Sequence, residues 1–111
     1  MRKISMAKIV WTKRAECLFF DRVEYAYTEF GKSTSLKWQI ERKRIEHQLL
    51  EHPESYTPER LLSDKRRLYR SCHIMRRFKL VHYYAKTSDT VYITDIWDMR
   101  MNPETLKKRI K

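Results

Sequence analysis

Glycine, proline and cysteine are scarce in this sequence, and long apolar runs are absent. One glycine and three prolines exclude a collagen-like chain or a flexible low-complexity chain. Cys17 and Cys72 match neither a disulfide framework nor a metal knuckle, so we expect free thiols in a reducing cytosol and no metal or other cofactor. No run reaches the length of a signal sequence or a transmembrane helix, which predicts a cytoplasmic protein that does not enter a membrane.

Acidic residues are also few compared with basic ones. The sequence has 25 Lys and Arg against 14 Asp and Glu, which gives a formal net charge of +11. Apolar residues still make up 41%, enough to bury a core, so the length of 111 residues predicts one folded domain over 1–111. The excess charge therefore belongs to the surface of a folded protein.

The basic residues concentrate in the segment 65–79, which contains no acidic residue. Such a field attracts polyanions, and nucleic acid is the commonest polyanion that a cytosolic protein meets. An acidic protein partner and a merely solvated basic surface are the alternatives. The basic residues of the segment are Lys65, Arg66, Arg67, Arg70, Arg76, Arg77 and Lys79.

The first half of the sequence predicts one strand and two helices. Residues 6–11 have a strand-like composition, and Thr12 is a good N-cap for a helix over 13–30 that Gly31 would end. A second helix follows and ends near Glu51. Its apolar residues form two nearly opposite stripes. We expect one stripe to pack on the sheet and the other on the first helix. The alternative is that a partner protein binds the second stripe. The stripes are Leu36, Ile40 and Leu50, and Trp38, Ile45 and Leu49.

Three strand-like runs follow in the second half, over 68–74, 78–84 and 90–97. Their short connections predict an antiparallel meander. The sequence Asn-Pro-Glu at 102–104 is a typical start for the basic terminal helix. The order β-α-α-β-β-β-α predicts an α+β fold in which a helical hairpin packs on a small, mainly antiparallel sheet.

The last third of the sequence resembles a known family. The strand pair 78–84 and 91–97, followed by the Asp-x-Arg-x-x-Pro pattern of 98–103, is similar to the closing hairpin of the RelE/ParE toxin superfamily, also called plasmid stabilisation system proteins. The element order matches this family from about Ala7 to the end, and the residue-level match is concentrated in 67–106. The resemblance implies a bacterial type II toxin that forms a hetero-oligomer with a cognate, acidic antitoxin.

Members of this superfamily differ in their targets. RelE-like members enter the ribosome and cut mRNA, whereas ParE-like members poison DNA gyrase without catalysis of their own. We expect a RelE-like, ribosome-dependent mRNA endoribonuclease, that is, an mRNA interferase that inhibits translation. A ParE-like gyrase poison and an inactive member that only binds its antitoxin are the alternatives.

The resemblance implies a set of basic residues for RNA cleavage. Ribonuclease members carry basic residues on the middle strands and an arginine just after the final strand. Arg100 occupies the last of these positions, Lys79 lies on the preceding strand, and Arg70 lies on the first strand of the meander. A basic sheet face would then hold mRNA through these three side chains, whose charges stabilise the reacting phosphate. For Arg100, a salt bridge to Asp98 or Asp95 is the alternative.

The sequence departs from the ribonuclease pattern at Leu106, where members often carry a tyrosine. An unperturbed imidazole titrates near neutrality, so His73 and His82 are the candidates to replace it as acid or base, and a surface or packed strand histidine is the alternative for each. Strand alternation predicts that His73 faces away from Arg70. It likewise predicts that His82 faces away from Lys79.

Tyr83 is the candidate for stacking on an RNA base, because aromatic residues among basic ones serve single-stranded nucleic acid. A place in the core is the alternative. The predicted RNA-binding residues are Lys65, Arg66, Arg67, Arg76, Arg77 and Tyr83.

Overall fold

The computed structural model describes residues 6–111, so the first five residues of the predicted domain lie outside the described residues. The chain forms an α+β fold with the predicted order β-α-α-β-β-β-α. A single 3₁₀ turn, Arg60–Leu62, lies between the helical hairpin and the meander. The elements are β1 (Lys8–Trp11), α1 (Lys13–Phe30), α2 (Lys32–Glu51), β2 (Tyr69–Ile74), β3 (Phe78–Ala85), β4 (Thr90–Asp98) and α3 (Pro103–Arg109).

The strands form one sheet in the order β1-β4-β3-β2. The strands β2, β3 and β4 form the predicted antiparallel meander, while β1 pairs with β4 in parallel. A register shift between Val81 and His82 marks an irregularity in the pairing of β3 with β4. The sheet is therefore mainly antiparallel, as predicted, with β1 and β2 at its edges.

Side-chain caps and the single glycine set the helix ends. Thr12 Oγ1 accepts a hydrogen bond from the backbone N–H of Ala15 at 3.2 Å. Asn102 Oδ1 accepts one from the backbone N–H of Glu104 at 3.0 Å. Gly31 has a φ of 95°, a conformation that strains residues with a side chain, and it joins α1 directly to α2. The predicted start and end of α1 and the predicted start of α3 are thus confirmed. Helix α2 begins at Lys32, directly after Gly31, and not after a cap at Ser33, Thr34 or Ser35 as the sequence predicts.

The helical hairpin covers one face of the sheet, which we call the helical face. Apolar side chains of α1 and α2 pack there against β3 and β4 and form the larger of two cores. Burial of this apolar surface is the main source of stability of the fold. Its buried members include Ala15, Phe19, Trp38, Ile45, Leu49, Leu80, Val91 and Ile93.

Helix α2 buries only one of its two apolar stripes. Trp38 contacts the rings of both Phe19 on α1 and Phe78 on β3. On the opposite side, Leu36 is 44% exposed and Ile40 is 66% exposed. The prediction that α1 would cover this second stripe is wrong, because α1 and the sheet lie on the same side of α2.

The other face of the sheet, which we call the α3 face, carries a smaller core under α3 and the 3₁₀ turn. Leu106 is fully buried in it, so the position at which ribonuclease members of the RelE/ParE superfamily often carry a tyrosine serves packing here. Arg109 Nη2 donates to Asp95 Oδ1 at 2.6 Å, and Asp95 has no exposed surface. This ion pair ties the end of α3 to β4. The buried residues of this core are Leu62, Tyr69, Val81, Trp97, Leu106 and Ile110.

Both cysteines are free thiols; Cys17 is exposed and Cys72 is half-buried. Within residues 6–111, no helix combines the length and the apolar character needed to cross a membrane. Over the same residues, no group of three or more His, Cys, Asp or Glu side chains is arranged to hold a metal ion.

Candidate functional site

The predicted catalytic residues lie on both faces of the sheet. The register of β2 and β3 puts Arg70 directly opposite His82 and puts His73 directly opposite Lys79. Residues directly opposite each other on paired strands share a face, so the first pair is on the helical face and the second on the α3 face. The prediction that one basic face presents Arg70, Lys79 and Arg100 together is therefore wrong.

Lys79 is held by a buried carboxylate that the sequence analysis did not single out. Its Nζ donates to Glu59 Oε1 at 2.8 Å, and Glu59 is 4% exposed. The same carboxylate accepts hydrogen bonds from Ser71 Oγ at 2.7 Å and from the backbone N–H of Leu61 at 3.0 Å. Burial raises the pKa of Glu59, but the hydrogen bonds from Lys79, Leu61 and Ser71 outweigh burial and lower the pKa below its usual range. Glu59 therefore stays ionised and neutralises Lys79.

The two candidate histidines differ in access to solvent. His82 has no exposed surface and meets the ring of Tyr56 edge-on at 5.8 Å. Burial lowers the pKa of His82 to about 4, so its imidazole is neutral at physiological pH. This burial excludes His82 from contact with RNA, which corrects the prediction for that residue. His73 is exposed on β2 and remains a candidate acid or base.

Arg70 makes a structural contact on the helical face. Its Nη1 donates to the backbone carbonyl of Tyr56 at 2.7 Å, which fastens the segment after α2 to β2. The backbone of that segment also pairs with β2, because Ser71 N donates to Thr57 O at 3.1 Å and Pro58 bridges to Arg70. Arg70 therefore has a partner within the chain and stands apart from Lys79.

Arg100 forms the salt bridge that the sequence left as an alternative. Its Nε donates to Asp98 Oδ1 at 3.1 Å and its Nη2 to Asp98 Oδ2 at 2.9 Å. The Arg100 side chain remains 58% exposed. The other possible partner, Asp95, is engaged by Arg109 instead. Arg100 lines a cleft beside α1 and α2, on the helical side of the sheet.

Five of the seven basic residues of the segment 65–79 form two clusters at opposite ends of β2, and the other two lie on β2 and β3. Strand β2 has six residues, so the clusters are separated by about 20 Å at roughly 3.3 Å per residue. Lys65 donates to the carbonyl of Lys107 at 2.8 Å, so this member of the first cluster also anchors α3. The first cluster is Lys65, Arg66 and Arg67, and the second is Arg76 and Arg77 in the exposed β2–β3 turn.

Tyr83 belongs to a row of three tyrosines on the α3 face. Its ring meets Tyr69 edge-on at 5.6 Å and stacks on Tyr92 at 5.2 Å with an angle of 22°. The guanidinium of Arg67 lies 4.5 Å from the centre of the Tyr83 ring. Tyr83 is half-buried, so it contributes both to packing and to the surface. Its RNA-stacking role stays a prediction, as do the RNA contacts of the basic residues.

The comparisons with known proteins support the fold and do not name a family. No protein-family model matches the chain, and no curated protein matches it in sequence. A chain in the solved structure of the chromosomal ParDE TA system from P. aeruginosa superposes with a TM-score of 0.65, at 15% identity. The superposition covers 84% of this chain and 96% of that chain. The likeness establishes a shared ParE/RelE-like fold.

Proposed function

We propose that this chain is the toxin of a bacterial type II toxin–antitoxin module and that it acts by binding its target, without cutting RNA itself. The observation that carries the proposal is the separation of the residues that RNA cleavage would need. The similarity in fold to a chain of a ParDE toxin–antitoxin system supports the module. The resemblance to the RelE/ParE superfamily, in element order and in the closing hairpin with its Asp-x-Arg-x-x-Pro pattern, is consistent with the same module.

Cleavage of RNA without a metal ion needs a base, a phosphate-stabilising cation and an acid around one phosphate. Of the five candidates, His82 is buried and Arg70 lies on the other face from Lys79. The charge of Lys79 is already neutralised by Glu59. This arrangement favours a poison that works by binding, and the ParE-like inhibition of DNA gyrase is the target that we propose.

The partner that restrains this toxin is an acidic antitoxin. The net charge of +11 favours association with an acidic chain, both in rate and in specificity. The helical hairpin also exposes large apolar side chains, which in soluble proteins mark interaction surfaces. They are Phe20, Tyr25, Tyr27, Phe30, Leu36 and Ile40. An antitoxin segment with acidic and apolar residues matches both features.

A RelE-like, ribosome-dependent ribonuclease is the second candidate, and one observation favours it. His73 and Lys79 lie directly opposite each other on the α3 face, and His73 is exposed. On the ribosome, RNA or ribosomal groups would have to complete this pair with the missing acid or base. The His73–Lys79 pair is therefore the part of the chain to mutate when ribonuclease activity is tested.

The proposal is tested by tightly controlled induction, with growth and a DNA-damage reporter followed in the same cultures. We expect growth arrest with an induced damage response, and relief of both when the proposed acidic antitoxin, sought in the neighbouring reading frames, is co-expressed. Purified chain should also inhibit supercoiling by DNA gyrase. Growth arrest without a damage response and without gyrase inhibition would contradict the gyrase target, and normal growth would leave an inactive member that only binds its antitoxin.

A further inference from the structure

A cleft on the helical side of the molecule combines several arginines with aromatic rings. It lies between α1, the beginning of α2, the β2–β3 turn and the end of β4, and its volume is about 330 Å³. This volume falls within the range of roughly 300–1,000 Å³ that is usual for small-molecule sites. We call it the arginine cleft. The lining residues that matter here are Arg22, Tyr25, Phe30, Trp38, Arg77 and Arg100.

The arginine cleft carries an excess of positive charge. Three guanidinium groups line it, and one of their positive charges is neutralised by the carboxylate of Asp98, which binds Arg100. Asp98 holds Nε and Nη2 of Arg100, while Nη1 makes no hydrogen bond with residues 6–111 and can donate to a ligand. Arg77 is exposed and makes no side-chain hydrogen bond or ion pair with another described residue. Two positive charges therefore remain for a ligand.

Aromatic rings form the floor and the mouth of the arginine cleft. Trp38 and Phe78 are buried and form the apolar floor, with the guanidinium of Arg22 5.1 Å from the centre of the Phe78 ring. At the mouth, Tyr25 is 55% exposed and Phe30 is 67% exposed, and their rings meet edge-on at 6.2 Å. A ligand with a planar ring and an anionic group would use both features.

We infer that the arginine cleft binds a nucleoside 5′-phosphate, either as a free nucleotide or as the 5′ end of a nucleic acid strand. The phosphate would accept hydrogen bonds from Arg77 and Arg100, and the base would lie against Tyr25 and Phe30. The excess of two positive charges matches a phosphate dianion, whereas a peptide carboxylate carries a single charge. This site lies across the sheet from His73 and Lys79, so the inference does not depend on toxicity or on the target.

The test is a binding titration of the full-length chain with AMP, adenosine and inorganic phosphate. We expect AMP to bind at least tenfold more tightly than either of its parts, because each part makes only half of the contacts. Arg77→Gln should weaken AMP about tenfold, as expected for the loss of a charge-assisted hydrogen bond. Arg76→Gln removes the same charge from the adjacent exposed residue, which does not line the cleft, and should change affinity less than twofold.

A second pair of variants tests the aromatic part of the cleft. Phe30→Leu should weaken AMP severalfold and leave inorganic phosphate unchanged, because only the base meets this ring. Phe20→Leu replaces an equally exposed phenylalanine of the same helix, outside the cleft, and should have no effect. Unchanged thermal unfolding of all four variants would verify that they are folded, as expected for exposed side chains.

A further comparison distinguishes a free nucleotide from the 5′ end of a nucleic acid strand as the source of the phosphate. The cleft binds strand ends if a 5′-phosphorylated oligonucleotide binds more tightly than both AMP and the same oligonucleotide with a 5′-hydroxyl. It binds free nucleotides if AMP binds as tightly as the 5′-phosphorylated oligonucleotide or more tightly. The inference is overturned if AMP does not bind at millimolar concentration, or if Arg76→Gln and Arg77→Gln weaken binding equally. The inference is also overturned if an acidic peptide binds, with the same dependence on Arg77, while AMP and the 5′-phosphorylated oligonucleotide do not.

Discussion

The two faces of the sheet use charged residues in different ways. On the α3 face, Lys79 and Arg109 each meet a buried carboxylate, Glu59 and Asp95 respectively. On the helical side, Arg77 in the β2–β3 turn is exposed, and the Arg100 side chain stays 58% exposed while it binds Asp98. Basic residues close together in sequence thus differ in role: those with buried partners are held within the fold, and those at the exposed turn and cleft are accessible to a ligand.

The largest difference in the free energy of unfolding between a buried-site variant and an exposed-site variant is expected within α2. Ile45→Ala should lower the free energy of unfolding by about 3 kcal/mol, because Ile45 is fully buried in the larger core. Ile40→Ala, a matched truncation on the exposed stripe, should change it by less than about 0.5 kcal/mol. Chemical denaturation of both variants measures the contrast. Similar losses would mean that the second stripe is covered in the free chain.

The buried pair on the α3 face should give the next largest effect. Asp95→Ala removes the partner of Arg109 and should cost about 2 kcal/mol, less than a fully buried pair because Arg109 is 26% exposed. The double variant Asp95→Ala with Arg109→Ala should lose less than the sum of the two single losses. Additive losses in this double-mutant cycle would contradict a direct ion pair between the two residues.

His82 should make the stability of the chain depend on pH. Its pKa falls from the usual 6.5 to about 4 on folding, so the unfolded state binds more protons between these values. Stability is therefore greatest above pH 6.5 and is lost as pH falls toward 4, by about 2 kcal/mol at pH 5. His82→Leu should remove this part of the acid sensitivity, measured as the pH dependence of unfolding. His73→Leu, at an exposed histidine, should leave it unchanged.

The exposed pair beside the arginine cleft should contribute least to stability. Arg100→Ala breaks the bidentate contact with Asp98, but exposed ion pairs are screened by solvent and salt. We expect no measurable change in the thermal midpoint. A clear loss of stability would show that Arg100 has a structural role, and would contradict the proposed difference between this exposed pair and the buried pairs of the α3 face.

Much of the fold is readable from the sequence because local signals agree with one another. Thr12 and Asn102 are caps with the expected hydrogen bonds, and Gly31 ends α1 where the apolar periodicity ends. Short connections indicate the meander. The uncovered stripe of Leu36 and Ile40 was not predictable, because periodicity shows that a helix is apolar on two sides but not which side its neighbours occupy.

The candidate site was less predictable, since it depends on register between strands. Alternation along β2 predicts that His73 and Arg70 point to opposite faces of the sheet. The turn at 75–77 sets the register of β2 with β3, and this register pairs Arg70 with His82. The burial of His82 follows from that register. Glu59 lies in a short connector, and its Thr-Pro-Glu sequence at 57–59 is typical of a helix start and does not indicate a charged partner. Its partnership with Lys79 joins residues twenty positions apart, which no local pattern indicates.

The central claim, a toxin that does not cut RNA itself, is tested most directly by mapping mRNA 5′ ends after induction. We expect growth arrest with mRNA ends identical to those of uninduced cells, in the wild type and in His73→Ala and Lys79→Ala alike. New mRNA ends that appear with the wild type and disappear in these variants would contradict the claim and establish a ribonuclease on the α3 face.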